Sequence, residues 1–208
     1  MLQELFCEIA GHRFSVETPD KELTATLLPS FRPFWIEKDG APGETVGSGE
    51  IDEIRETDET GGTDKAGEAG NNGIPSTSIN SKLLFRFSGN KDIPVPGTEP
   101  VETMDFEGTK FHVYRTEEGT TISMRIEDKI HYMFASKDRT IFKSDLTLAK
   151  REESQFLLYL LRAAYGMAAI HHQTIKIHAS VTEKEGKALI FLGKSGTGKS
   201  THSRLWKE

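Results

Sequence analysis

The chain has 208 residues, a net charge of -6, 36% hydrophobic residues, 28% charged residues and a single cysteine, Cys7. That length holds one ordinary domain or two small ones. The acidic balance argues against the basic stripe a nucleic-acid binder needs to neutralise phosphates, and against an anionic membrane surface as partner. One cysteine cannot close an intramolecular disulfide, so a reducing compartment is the default. Glu4, Glu8, Arg13, Glu17 and Asp20 leave no signal-peptide run, and Arg162 and Lys176 interrupt the best apolar candidate for a membrane span. The chain reads as soluble and cytoplasmic, with neither nucleic acid nor membrane among its partners.

From Leu2 to Ile36 short apolar runs at Leu5 to Ile9, Phe14 to Val16 and Leu23 to Leu28 are broken by Gly11, Pro19-Asp20 and Pro29. This spacing predicts short strands rather than long helices. Between residues 37 and 74 eleven acidic side chains meet three basic ones, so this stretch carries -8 and the rest of the chain +2. With nine glycines and almost no large apolar residues, residues 37–80 read as a disordered or very mobile acidic insert. Calcium-binding loop spacing is absent from its acids, which favours a solvated linker. Strand-like runs come next at Leu83 to Phe87, Thr109 to Tyr114, Thr120 to Ile126, Lys129 to Phe134 and Arg139 to Phe142. Alternation at Phe111 and Val113, and at Ile122, Met124 and Ile126, predicts an antiparallel meander with one face buried.

Near Leu146 the period changes. Phe156, Leu157, Leu160, Leu161, Ala164, Tyr165, Ala168 and Ala169 recur at helical spacing, and Leu158, Met167 and Ile170 extend the apolar surface round most of the cylinder. A helix of that kind lies between other layers. Ile175, Ile177, Ala179 and Val181 alternate with Lys176, His178, Ser180 and Thr182 as a strand, Gly186 turns the chain, and Ala188 to Leu192 reads as a short central strand. The chain thus divides into a β-rich domain over 1–145 and the start of a second domain over 146–208.

The residues after that strand carry the chemistry. Gly193-Lys194-Ser195-Gly196-Thr197-Gly198-Lys199-Ser200 satisfies the phosphate-loop pattern G-x-x-x-x-G-K-S/T at every position. Glycines at 193, 196 and 198 let the backbone wrap an anion with its N–H groups inward, and the positive end of the next helix adds to the attraction. Lys199 is placed for the β- and γ-phosphates and the Ser200 hydroxyl for Mg²⁺, with Thr201 closing the nucleotide-contacting stretch. The pattern needs a strand before it and a helix after; Ala188 to Leu192 supplies the first, and Ser200 to Lys207 contains nothing that breaks the second.

The run Ile175 to Ser180, a turn, then Leu189 to Thr201 resembles the start of the catalytic domain of HPr kinase/phosphorylase. Its Ser195-Gly196-Thr197-Gly198-Lys199 core is also similar to the phosphate loop of ATP-dependent phosphoenolpyruvate carboxykinase. The resemblance covers roughly residues 156–208. It implies an α+β chain in which a smaller β-rich domain precedes a carboxykinase-like α/β nucleotide domain. It also implies ATP and Mg²⁺ as cofactors, and a kinase that transfers phosphate to a protein serine or a small metabolite. Two departures accompany it. Thr201 stands where HPr kinases usually carry an acidic residue, and the family's paired aspartates fall beyond the eight residues after Ser200, so the chain reads as an N-terminal portion of a longer enzyme. His178 aligns with a histidine that commonly precedes the loop in HPr kinases.

Other residues signal less. His171-His172 at a helix end complement the dipole, Arg204 sits in the helix after the loop, Cys7 reads as a buried small residue, and Asp105 and Glu107 as surface carboxylates. A non-catalytic, nucleotide-responsive module and a scaffold with an empty loop are the alternatives to a phosphotransferase. Oligomeric state is open, a homo-oligomer included.

Overall fold

The computed structural model of the chain describes residues 2–38, 41, 83–106, 108–194 and 196–206, the side chain of Phe106 excepted. The acidic insert over 37–80 lies outside the described residues apart from Glu37, Lys38 and Ala41, as do Glu107 and Ser195. The fold is mixed α+β, with one large, mostly antiparallel sheet and few helices. It divides into two compact units, Met1–Ala168 and Ala169–Glu208.

In the first unit, β1 (Gln3–Ile9) and β2 (His12–Thr18) form a hairpin across Ala10 and Gly11, both at positive φ (51° and 77°), as a two-residue turn with the right twist requires. The run Leu23 to Leu28, expected as a strand, is instead α1 (Lys21–Leu27). Asp20 accepts the Leu23 N–H at 3.0 Å as an N-cap. The helical turn buries Thr24, whose hydroxyl meets Thr18 Oγ1 at 2.6 Å. A short 3₁₀ segment (Pro29–Phe34) leads to β3 (Trp35–Ile36), which pairs with β1.

The sheet centre is parallel. β4 (Phe85–Ser88) lies between β2 and β9 (Ile141–Ser144), parallel to both. Phe14 and Phe85 stack with centroids 4.7 Å apart, and Phe142 meets Phe85 edge-on at 5.1 Å. Between β4 and β9 the chain makes the expected antiparallel meander, to which it adds a first strand not among the expected runs: β5 (Glu102–Phe106), β6 (Thr109–Arg115), β7 (Gly119–Ile126) and β8 (Lys129–Ser136). The full order of the nine-stranded sheet is β3-β1-β2-β4-β9-β8-β7-β6-β5.

Helix α2 (Ser154–Ala169) crosses this sheet. Phe156 sets its edge against His131 of β8 at 4.5 Å, and the Tyr165 hydroxyl donates to the Ile9 carbonyl at 3.0 Å, so the helix runs from the meander to the first hairpin. Burial confirms the apolar stripe from Phe156 to Ala169, but Leu158 and Met167 are half-buried and Ile170 is 64% exposed. The expectation of a helix covered on nearly all sides is thereby corrected: a single sheet face covers a single stripe. Through Ala168 the helix belongs to the first compact unit. Truncating any of its fully buried leucines to alanine costs about 2–5 kcal/mol.

The second unit holds β10 (Ala179–Lys184), β11 (Lys187–Leu192) and α3 (Lys199–Leu205). The expected strand from Ile175 shortens at its start, since residues 174–178 have no regular structure. Among the described residues β11 pairs with β10 alone, antiparallel across Glu185 and Gly186. Among the described residues Ile190 is 56% and Leu192 65% exposed.

Candidate functional site

The site is the turn between β11 and α3. After Leu192 the chain leaves the hairpin, and Gly196 and Gly198 take φ values of 78° and 79°. A Cβ at either would meet nothing within 4 Å, so glycine is required there by backbone conformation and not by crowding. Thr197 tightens the turn: its hydroxyl donates to the Lys194 carbonyl at 2.8 Å, and its N–H reaches the same oxygen at 3.4 Å. That hydroxyl also lies 2.9 Å from where a Cβ on Gly193 would stand, so a side chain at 193 would displace it.

Lys199 closes the turn from the helix side. Its ammonium donates to the Gly193 carbonyl at 2.9 Å and to the Lys194 carbonyl at 2.8 Å. The residue that the sequence pattern singles out is thus folded over the loop it terminates. Gly198 is the N-cap and brings no side-chain hydrogen bond, so the first amides of α3 have no cap from that residue. The first intrahelical bond runs from the His202 N–H to the Gly198 carbonyl at 2.9 Å.

The hairpin anchors α3 from below. Thr182 Oγ1 donates to the Ser203 carbonyl at 3.2 Å in a buried contact, Ser203 Oγ donates to the Lys199 carbonyl at 3.2 Å, and the His202 ring stacks on Phe191 with centroids 5.9 Å apart. The face of β10 that alternation marks as polar is therefore the face turned to the helix. Ser180 lies on it, and its hydroxyl stands 3.4 Å from Ser200 Oγ. The sequence signals for Ser180 are its place in the polar alternation with Thr182 and at the end of the run Ile175 to Ser180.

The other candidates lie apart from this arrangement or at its edge. Lys194 and Thr201 are exposed beside the turn, Ser195 lies outside the described residues, and His178 is exposed in the segment entering β10. Arg204 is exposed on α3, and His171 and His172 belong to a 3₁₀ turn (Ile170–His172) rather than to the turn that carries the loop. Cys7 is fully buried in β1, where desolvation first and the neighbouring Glu8 second push its thiol well above the ordinary range. It is therefore not a nucleophile. Among the described residues no group of three or more His, Cys, Asp or Glu side chains is placed to hold a metal ion. Nor, among those residues, is any helix long and apolar enough to cross a membrane.

The turn thus offers the Lys199 ammonium, the amides of a helix start without a side-chain cap, and the hydroxyls of Thr197 and Ser200. These are groups that receive anions and hard cations. The chain matches no protein-family model, no curated protein and no solved structure.

Proposed function

We propose that the second unit is the phosphate-binding start of an ATP-dependent phosphotransferase that works with Mg²⁺, of the kind the likeness to HPr kinase and to carboxykinase implies. One observation carries the reading: the unbroken string Gly193 to Ser200 begins directly after strand β11 and ends in the first residues of helix α3, with the Lys199 ammonium folded back onto the Gly193 and Lys194 carbonyls.

The donors suit a phosphate chain. Lys199 exchanges two neutral carbonyls for anionic phosphate oxygens, a shorter and stronger charge-assisted bond. The first amides of α3, which have no side-chain cap, are further donors for an anion. Lys194 is an exposed lysine within the loop, Gly193 and Thr197 hold the turn's shape, and Gly196 and Gly198 supply its left-handed backbone. The Ser200 hydroxyl is an oxygen donor of the type Mg²⁺ prefers. When bound, Mg²⁺ neutralises charge on the phosphates during transfer. The likeness to HPr kinase would also give His178, two residues before Ser180, a role near the phosphoryl group, whose acceptor is a protein serine or a small metabolite. The same reading puts the protein in the cytoplasm, beside its nucleotide.

Calorimetric titration with Mg-ATP tests it. Replacing a charge-assisted bond costs about 1.5–3 kcal/mol, so Lys199→Ala is expected to weaken binding roughly 10- to 150-fold. Equal affinity of the variant and the unaltered chain overturns the assignment. Incorporation of labelled phosphate into a protein or metabolite distinguishes an enzyme from a nucleotide-responsive module.

A further inference from the structure

We propose that Ser180 is a positioning residue for the Ser200 hydroxyl, accepting its proton so that the oxygen lone pairs are left to the cation. The inference rests on the reading of this loop as a Mg-ATP site.

β10 touches α3 through two side chains of one face, two residues apart, and the two contacts differ in kind. Thr182 to the Ser203 carbonyl, at 3.2 Å and buried, ties strand to helix. Ser180 to Ser200, at 3.4 Å, joins two hydroxyls at the exposed first turn of α3. That separation exceeds the usual 2.7–2.8 Å or so of an O–H···O bond, so the contact adds little to stability before a ligand binds. Its direction matters more. A serine that binds a cation through its oxygen keeps its proton at neutral pH, and the proton needs an acceptor on the side away from the metal. Outer partners of this kind orient metal ligands, and their loss typically weakens metal affinity 10- to 100-fold.

The backbone fixes this arrangement. The hairpin register sets Ser180 opposite Phe191, two residues before Gly193, and stacking of Phe191 on His202 holds α3 over the strand pair. Ser180 therefore approaches Ser200 from the strand side, while the Lys199 ammonium closes the loop over the carbonyls of Gly193 and Lys194. The two serines have separate tasks: Ser200 binds the cation and Ser180 aims it.

Equilibrium dialysis of labelled ATP, with and without Mg²⁺, tests the proposal on the full chain. Ser180→Ala is expected to leave Mg²⁺-free ATP affinity within about twofold of the unaltered chain, while the Mg²⁺ concentration for half-maximal binding rises roughly tenfold. Ser180→Thr, which keeps a hydroxyl, is expected to restore the unaltered value. Unchanged Mg²⁺ dependence in Ser180→Ala, or failure of Ser180→Thr to restore it, overturns the proposal. Equal loss of Mg²⁺-free binding in Ser180→Ala also overturns it, because that marks a structural role. If the unaltered chain binds ATP under neither condition, the phosphate-loop reading itself fails, an outcome distinct from the other three.

Discussion

Replacing Glu153 by alanine tests how the first unit locks the approach to its long helix. Glu153 is 4% exposed; both carboxylate oxygens lie 2.9 Å from the Thr147 hydroxyl, and one accepts the Leu148 N–H at 2.9 Å. Leu148 needs that hold. Its φ of 59° is in the left-handed region, which costs an L-residue about 1–2 kcal/mol. Its carbonyl accepts from Thr24 Oγ1 at 3.0 Å, and its fully buried side chain sits where Gly89 leaves room, since a Cβ there would come within 2.5 Å of Leu148 Cγ. Glu153→Ala removes two charge-assisted bonds and strands a buried N–H, for an expected loss of about 3 kcal/mol. Glu153→Gln can keep a carbonyl oxygen on Leu148 and an amide on Thr147, so its expected loss is about 1 kcal/mol. Urea unfolding followed by far-ultraviolet circular dichroism measures both, and with slopes of about 1–3 kcal/mol/M the alanine variant moves the midpoint by about 1–3 M. A loss below about 0.5 kcal/mol for alanine, or equal losses for the two variants, refutes the reasoning, because the carboxylate would then not be what holds Leu148.

Gly119→Ala should destabilise the meander by about 1–3 kcal/mol, because a methyl there runs into the Ala135 carbonyl oxygen and the Phe134 ring; an unchanged melting temperature would contradict this. The Asp138 carboxyl is held at about 2, below its usual 3.8, first by the Ser136 hydroxyl and then by the hydroxyl and N–H of Thr140. Since the folded-state value is the lower one, the stabilisation from this turn is complete above the unfolded value and is lost as pH falls from there through about 2. A carboxyl ¹³C titration should show that midpoint, with Ser136→Ala moving it upward. In the loop, Gly198→Ala meets no atom within 4 Å and bears only the conformational cost of about 1–2 kcal/mol. Mg-ATP should therefore bind roughly 5- to 30-fold more weakly; equal affinity by calorimetry would mean that the loop need not hold this shape.

Local signals are legible in the sequence where one side chain or one period decides the outcome. The meander of β6, β7 and β8 is dictated by alternation and by turns such as Glu127-Asp128. The span of α2 is set by apolar residues at helical spacing, and the strand, loop and helix around Gly193 to Ser200 by the spacing of glycine, lysine and serine. Three features require contacts that no local pattern carries. Leu23 to Leu28 looks like strand until the Asp20 cap and the Thr24 contact to Leu148 are counted. The parallel insertion of β4 between β2 and β9 depends on aromatic packing among Phe14, Phe85 and Phe142, which are far apart in sequence. Ser180 faces Ser200 because of hairpin register, while its polar neighbours His178 and Lys176 precede the strand.

The parallel pairing of β2 with β4 has an evolutionary consequence. Phe14 meets Phe85 across the whole acidic stretch, so the chain must close a long loop before the centre of the sheet exists. Closure entropy grows only with the logarithm of loop length, and doubling or halving the connection changes it by roughly 0.6 kcal/mol. Selection on the sheet therefore barely constrains the number of residues between Lys38 and Leu83.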